Sequence, residues 1–220
     1  MIPAPPPAIV QAGRTAYQQA CASCHGADLR GGADGPSLRG AGAAAVDFWV
    51  GTGRMPAAVP WIQVEHRGAQ LPQATIDALV AYVTSVQPGG EPIPEVAAGG
   101  DLRHGRALYE QNCEHCHGVA GGGASIGGAD WAPSLQRATI TQVAEAVRIG
   151  PGNMPRFGAR QLERRALDDV AGYVISLDGA ATGRTIPLRT SGPVPEGLLG
   201  WLAVGLLGAL AYAFSRSHPS

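Results

Sequence analysis

Apolar residues recur at a helical period in several separate stretches of the chain. One stretch follows the spacing i, i+3, i+4, i+7 at Ile140, Val143, Ala144 and Val147. Gly150 and Pro151 come directly after it and are typical of a helix end. A further pair of stretches, one in each half of the chain, shares a related pattern: Ile76, Leu79, Val80 and Val83, and Leu167, Val170, Ala171 and Val174. With the apolar stretch from Ala41 to Val50, these patterns predict an all-α fold of short amphipathic helices.

A different pattern lies near the C-terminus. Residues 198–214 form a run of 17 residues without a charge, bounded by Glu196 and Arg216. About 17 apolar residues is the lower limit for a helix that crosses a bilayer, and Trp201 and Tyr212 near the ends suit the two interfaces. We therefore expect one C-terminal transmembrane helix, with the positively charged tail in the cytoplasm. The alternative is a buried core helix.

The chain also contains an internal repeat with an offset of 92 residues. The residues that recur are Gly13, Arg14, Tyr17, Gln19, Cys21, Cys24, His25 and Gly26, matched by Gly105, Arg106, Tyr109, Gln111, Cys113, Cys116, His117 and Gly118. A repeat of this length indicates two copies of one structural unit.

Each copy contains the pattern Cys-x-x-Cys-His, and the two patterns use all four cysteines of the chain. On one helical turn, positions i, i+3 and i+4 share a face. Both thiols and the imidazole of each copy therefore point to the same side, which is the arrangement of c-type haem attachment. The sequence predicts two covalently bound haem c groups, held by Cys21, Cys24 and His25 and by Cys113, Cys116 and His117. The alternatives are a zinc site or a disulfide.

Two methionines occupy matching places in the copies. Met55 lies 30 residues after His25, Met154 lies 37 residues after His117, and a proline follows each. A lone methionine is usually core filler, but this pairing favours Met55 and Met154 as the second axial ligands of the two haem irons, opposite the histidines. A thioether ligand favours a higher potential. No catalytic residue is predicted, because such an iron has no open position for substrate.

Two further features of the repeat suggest roles in the same sites. A proline turn follows each motif, at Pro36 and Pro133. Its carbonyl could accept a hydrogen bond from the ligating imidazole, although an ordinary turn is an equal alternative. Tyr17 and Tyr109 lie one turn before the first cysteine of each motif, and we expect them to pack against the porphyrin edge rather than to act in redox chemistry.

The pattern and the composition together give a domain organisation. We predict a proline-rich N-terminal segment at 1–10, a first unit at 11–86, a linker at 87–100, a second unit at 101–178, a linker at 179–196, a transmembrane helix at 197–214 and a tail at 215–220. Residues 1–8 lack the basic and apolar parts of an export signal. A polar segment at residues 57–74 is expected to be a surface loop. A net charge of −1 argues against nucleic acid as a partner.

The order of these elements resembles a known family. Two Cys-x-x-Cys-His units, Thr-Gly-Arg-Met-Pro in the first, Gly-Pro-Gly-Asn-Met-Pro in the second, and Gly-Pro-Val-Pro-Glu-Gly before the C-terminal helix are similar to the dihaem cytochrome c subunit of the actinobacterial cytochrome bcc complex. The resemblance implies two tandem class I cytochrome c domains. It also implies an electron-transfer subunit of a quinol-cytochrome c reductase, with a cytochrome b subunit, a Rieske iron-sulfur subunit, a terminal cytochrome c oxidase and membrane lipid as partners.

The resemblance implies a direction of electron flow as well. The haem at Cys21, Cys24, His25 and Met55 would receive electrons that menaquinol gives up, by way of the Rieske centre, and the other haem would pass them to the oxidase. Because thioether attachment takes place outside the cytoplasmic membrane, we expect a single-pass membrane protein with extracytoplasmic haem domains. The alternatives are a tethered dihaem cytochrome that serves another dehydrogenase or oxidase, and a dihaem peroxidase.

Overall fold

A computed structural model describes residues 5–58, 63–128, 130–182 and 193–217. Within these ranges the chain forms nine helices and one two-stranded hairpin. In chain order they are α1 (Pro7–Ala20), α2 (Ala22–His25), α3 (Gly42–Gly51), α4 (Gln73–Val86), α5 (Leu102–Asn112), α6 (Glu114–His117), β1 (Ala124–Gly127), β2 (Asp130–Ala132), α7 (Ile140–Ile149), α8 (Arg164–Thr182) and α9 (Pro193–Ser217).

Local sequence signals explain where several helices begin and end. The Asp101 carboxylate accepts hydrogen bonds from the backbone N–H groups of Arg103 and His104 and caps α5. Thr139 and Gln142 form a reciprocal capping box at the start of α7, which ends at Gly150 in the left-handed conformation. α1 begins at Pro7, inside the segment predicted to be proline-rich and separate, because proline is well tolerated in the first turn of a helix.

The same helix crossing builds both units. In the first unit α1 packs on α4, and in the second α5 packs on α8. A Cβ atom on Gly13 would lie 1.9 Å from the carbonyl oxygen of Ala78, and one on Gly105 would lie 2.1 Å from the carbonyl oxygen of Asp169. Only a glycine allows the backbones to approach this closely, which explains why this position recurs in the repeat.

Each unit has its own apolar core around a tyrosine. The buried side chains of the first core are Tyr17, Leu29, Val50, Ile76, Leu79, Tyr82 and Val83. Those of the second core are Tyr109, Val143, Val170, Ala171 and Val174, beside a neighbouring cluster of Ala144, Val147, Leu162, Ala166 and Leu167. The predicted helical periodicities supply seven of the ten buried residues in the two clusters of the second unit, but only three of the seven in the first core.

The two units meet where α3 of the first packs against α7 of the second. Glu91 forms an ion pair with Arg156 beside this contact. Glu145 on α7 is fully buried, and neither of its carboxyl oxygens makes a hydrogen bond of regular geometry. Burial, followed by the charge and hydrogen-bonding capacity of the Asp47 carboxyl on α3, raises the pKa of Glu145 to about 9. This carboxyl therefore stays protonated at neutral pH.

Two features differ from the predicted fold class. β1 and β2 form an antiparallel hairpin in the second unit, which an all-α prediction omits. The hairpin occupies a glycine-rich segment of only a few residues, so it has no sustained alternation that would reveal it.

The prediction of a transmembrane helix is also wrong. Among the residues that the structure describes, no helix combines the length and the apolar character needed to cross a bilayer. At about 1.5 Å per residue, the uncharged run in α9 would rise only about 26 Å, less than the ~30 Å of a hydrocarbon core. Three further predictions depended on this helix and are not supported either. They are the single-pass topology, the contact with membrane lipid and the placement of the two ends on opposite sides of a membrane.

Because α5 and α8 cross so closely, adding one methyl group at Gly105 should strongly reduce the stability of the fold. Gly105→Ala should lower the free energy of unfolding by about 1–3 kcal/mol, because the added Cβ must push the two backbones apart. Chemical denaturation followed by circular dichroism measures the change. Gly51→Ala in α3 is the matched control, since nothing lies within 4 Å of a Cβ at that position. The control should be neutral or stabilising by about 0.5–1 kcal/mol, and equal losses in both variants would contradict the close approach.

Burial of Glu145 predicts a pH-dependent stability. The folded chain keeps a proton that the unfolded chain releases above the ordinary pKa of 4.5. The free energy of unfolding should therefore fall as the pH rises from about 5 to about 9, by at most about 1.4 kcal/mol per pH unit from this group. Glu145→Gln should be more stable than the parent at pH 8, and this advantage should disappear at pH 5. Denaturation at both pH values tests this, with the exposed Glu163→Gln as control. A stability gap that is the same at both pH values would refute it.

Candidate haem sites

Each Cys-x-x-Cys-His motif forms a short helical turn directly after a longer helix. In the first, the N–H groups of Cys24 and His25 bond to the carbonyl oxygen of Cys21 at 3.1 and 2.9 Å. In the second, the corresponding distances from the N–H groups of Cys116 and His117 to the carbonyl oxygen of Cys113 are 3.2 and 2.9 Å. The backbone thus holds both thiols and the imidazole of each motif on one turn, with the spacing that the sequence predicted.

All four cysteines are free thiols and half-buried. Burial, with a smaller contribution from the neighbouring Cys116, raises the pKa of Cys113 to about 11. Burial and Cys24 likewise raise the pKa of Cys21. The first cysteine of each motif is therefore a neutral thiol at neutral pH.

The proline turns hold the two imidazoles. His25 Nδ1 lies 2.8 Å from the carbonyl oxygen of Pro36, and His117 Nδ1 lies 2.9 Å from that of Pro133. A carbonyl can only accept, so each Nδ1 must carry the proton and Nε2 is left as the free ligating nitrogen. The structure confirms the predicted role of these turns. Burial lowers the pKa of His117, against the opposing effect of the Pro133 carbonyl, which favours the neutral form that a metal binds.

The two repeated tyrosines fasten the segment that follows each histidine. Tyr17 donates a hydrogen bond of 2.6 Å to the carbonyl oxygen of Gly26, and Tyr109 donates one of 2.6 Å to that of Gly118. Burial is the main cause that raises the pKa of Tyr17 to about 12, and it raises the pKa of Tyr109 as well. Sequence analysis aligned both tyrosines and both glycines in the repeat but did not connect them, because spacing does not show where a hydroxyl group points.

The two methionines occupy matching places in the repeat, but the backbone hydrogen bonds of their turns differ. The N–H group of Met55 donates to the carbonyl oxygen of Trp49 at 2.9 Å, and that of Met154 donates to the carbonyl oxygen of Pro151 at 3.1 Å. Met55 packs against the same apolar core as Cys21. Met154 lies in the wall of a cavity that His117 also lines. Both side chains are half-buried.

A cavity of about 390 Å³ surrounds the second site, within the range of cofactor pockets. It is lined by all four residues predicted to hold the second haem: Cys113, Cys116, His117 and Met154. Two thiols, an oriented imidazole and a thioether around an apolar cavity fit a covalently held haem c. Met55 of the first unit lines the same cavity, so the two predicted sites are neighbours.

Sequence analysis missed several residues from the first unit that line this cavity. Arg54 is half-buried and lies over the Phe48 ring at 5.2 Å from its centroid. Burial lowers the pKa of Arg54. His66 and Val64 come from the polar segment that was expected to be a surface loop. Residues 63–72 do form a loop with several exposed side chains, but His66 and Val64 lie in the cavity wall. Arg54 belongs to the Thr-Gly-Arg-Met-Pro pattern, but no sequence signal indicated that Arg54, Val64 or His66 would lie in the wall of the second site.

Comparison with known proteins agrees with this duplicated arrangement. A family model described as cytochrome C oxidase, cbb3-type, subunit III matches residues 8–83 and again residues 100–174. The chain is 38% identical over 215 residues to the cytochrome bc1 complex cytochrome c subunit of Mycobacterium tuberculosis, covering 94% of this chain and 76% of that protein. It is 33% identical over 230 residues to the subunit of the same name from Corynebacterium diphtheriae, covering 96% and 82%.

Among solved structures, a chain of the reducing HAO-like protein complex of Kuenenia stuttgartiensis is 21% identical with a TM-score of 0.42, covering 80% of this chain and 99% of that one. The sequence relatives carry the assignment, since both exceed 30% identity over most of the chain. A cytochrome c domain binds haem c covalently and transfers electrons. The chain belongs to the family of cytochrome bc1 complex cytochrome c subunits.

Proposed function

We propose that this chain binds two haem c groups and relays single electrons within a quinol-oxidising bc1-type complex. The observation that carries the proposal is the duplication of the whole site. Each unit repeats the two thiols, the imidazole held by a proline carbonyl and the tyrosine that fastens the following glycine. One copy alone would support a single haem, and two independent copies support a pair.

The proposed ligands follow from the donor atoms in each site. Cys21 and Cys24 would hold the first porphyrin and Cys113 and Cys116 the second, while His25 with Met55 and His117 with Met154 would ligate the two irons. A haem with histidine and methionine ligands supplies one-electron chemistry and has no open coordination position. Protein residues here bind and orient the group, and the apolar wall keeps water away from it.

The position of Met55 supports a relay between the two sites. This methionine belongs to the first unit, yet it lines the cavity that contains the four proposed ligands of the second. Two redox groups in neighbouring sites can exchange electrons without a mobile carrier. The contact between α3 and α7 keeps the two units together.

The proposed partners follow from the family. The relatives are named as subunits of a cytochrome bc1 complex. We propose that a Rieske iron-sulfur subunit delivers electrons from menaquinol, oxidised at a cytochrome b subunit, to the first haem. The second haem then passes them to a terminal cytochrome c oxidase. In this role the chain is an electron-transfer subunit of a quinol-cytochrome c reductase.

Replacement of one methionine should affect one haem. Met154→Ala should lower the potential of the second haem and open its iron to carbon monoxide, because a thioether ligand raises the potential and closes the sixth position. Met55→Ala should do the same to the first haem, so each variant is the control for the other. Spectroelectrochemical titration and carbon monoxide difference spectra measure both effects. Carbon monoxide binding to the unmodified, reduced protein would favour a peroxidase and contradict the relay.

The proposed complex can be isolated from the native cells. A tagged chain should copurify with a b-type cytochrome and a Rieske protein, and its c-type haem should be reduced when menaquinol is added. Mass spectrometry of the mature chain should show two added porphyrins. The variant with Cys113 and Cys116 both changed to Ala is the control and should show one. Copurification with a different oxidase or dehydrogenase, and without the b-type cytochrome, would contradict the assignment to this complex.

A further inference from the structure

A side chain of the first unit pairs with the backbone of the second. Gln63 Nε2 donates a hydrogen bond of 2.7 Å to the carbonyl oxygen of Trp131. In return, the N–H group of Trp131 donates to Gln63 Oε1 at 3.5 Å. Trp131 lies in β2, and the two contacts satisfy both backbone groups of this residue. Gln63 and Trp131 are 68 positions apart in the chain.

The segment that carries Gln63 is also fastened at its other end. The N–H group of Arg67 donates to the carbonyl oxygen of Thr52 at 3.1 Å. Arg67 Nε donates to the carbonyl oxygen of Gly53 at 3.2 Å. These carbonyls belong to the turn that precedes Met55. Residues 63–68 therefore bridge the methionine turn of the first unit and the hairpin of the second.

Between these two attachments the side chains alternate in exposure. Gln63, Glu65 and Arg67 are exposed, whereas Val64 and His66 are half-buried. An alternation of two residues is that of an extended chain with one face covered. Val64 and His66 are part of the cavity lining, and the exposed Gln63 lines it as well.

Strand β2, which Gln63 contacts, is also hydrogen-bonded to the residue next to Met154, the proposed methionine ligand of the second site. Asn153 Nδ2 donates a hydrogen bond of 2.8 Å to the carboxylate of Asp130 in β2, and Asn153 directly precedes Met154. β2 also leads into Pro133, whose carbonyl oxygen accepts from His117. Gln63 thus contacts the one strand that connects the supports of both proposed axial ligands of the second site.

We propose that residues 63–68 of the first unit form the outer wall of the second haem site, so that this site is incomplete without the first unit. The inference rests on the proposed function, which places a haem in the cavity. The wall excludes water from the second haem, and solvent exposure is one of the properties that set a haem potential. A residue of the first unit therefore tunes the haem of the second.

The test uses the full-length protein with its haems. Gln63→Ala removes both contacts to Trp131, and spectroelectrochemical titration should show a lower potential for the second haem and an unchanged potential for the first. The Met55→Ala and Met154→Ala variants identify which transition belongs to which haem. Gln73→Ala is the matched control, since the Gln73 amide donates to the Asp77 carboxylate within α4 at 2.9 Å and Gln73 is not part of the cavity lining.

A second variant keeps the wall proposal testable if Gln63→Ala folds poorly. Val64→Ser leaves the Gln63 contacts in place but puts a hydroxyl group on the covered face. It should lower the potential of the second haem alone. An unchanged second potential in both variants, or equal shifts of the two haems, would overturn the proposal.

Hydrogen exchange on the full-length protein as purified separates the wall proposal from the proposed function. In Gln63→Ala the amide of Trp131 should exchange about 2- to 10-fold faster, the factor that corresponds to the net loss of one hydrogen bond. The exchange should be unchanged in Gln73→Ala. If the Trp131 amide exchanges faster in Gln63→Ala but the mass shows fewer than two porphyrins, the proposed function is contradicted while the contact between Gln63 and Trp131 is confirmed. If the mass shows two porphyrins but the exchange of the Trp131 amide and the potential of the second haem are both unchanged, only the wall proposal is contradicted.

Discussion

The arrangement of both sites depends on the hydrogen bond between a histidine ring and a proline carbonyl. This bond fixes the tautomer of His25 and of His117, because the carbonyl leaves Nδ1 as the donor. It also connects the helical turn of each motif to a loop that is 11 residues away in the first unit and 16 in the second. The tyrosine that bonds the glycine after each motif holds the near end of that loop. Each site is thus defined by two short bonds to backbone carbonyls, and the surrounding helices keep those carbonyls in place.

Much of this arrangement could be predicted from the sequence because it is local. The helical turn of each motif follows from three positions within five residues. The repeat shows that Met55 and Met154 occupy equivalent places, and the proline turn lies close enough to its histidine for the bond to be anticipated. Helical periodicity likewise identified most of the buried residues of α4, α7 and α8. In each case the signal and the structure involve residues that are near one another in the chain.

The parts that could not be predicted involve residues that are distant in sequence, or segments whose composition is typical of more than one structure. Nothing in the segment around Gln63 indicates a partner 68 positions away, so its polar character suggested a surface loop. The glycine-rich hairpin has no alternation that distinguishes a strand from a turn. The uncharged run in α9 looked like a membrane span from its composition, but the described residues contain no helix of sufficient length and apolar character. Hydropathy alone did not distinguish a membrane-spanning helix from a shorter apolar one.

The two units began as copies, and the structure shows where they differ. Both keep the glycine at the helix crossing, the tyrosine bond and the proline carbonyl. The hairpin belongs to the second unit, and the segment that reaches it belongs to the first. At the contact between α3 and α7, a buried Glu145 faces Asp47, an arrangement that costs stability at neutral pH because a carboxyl group must be held protonated. The differences therefore concentrate where the units meet. Because the repeated features build each site and the unrepeated ones join the two sites, the second unit is not an independent module, and its environment includes part of its neighbour.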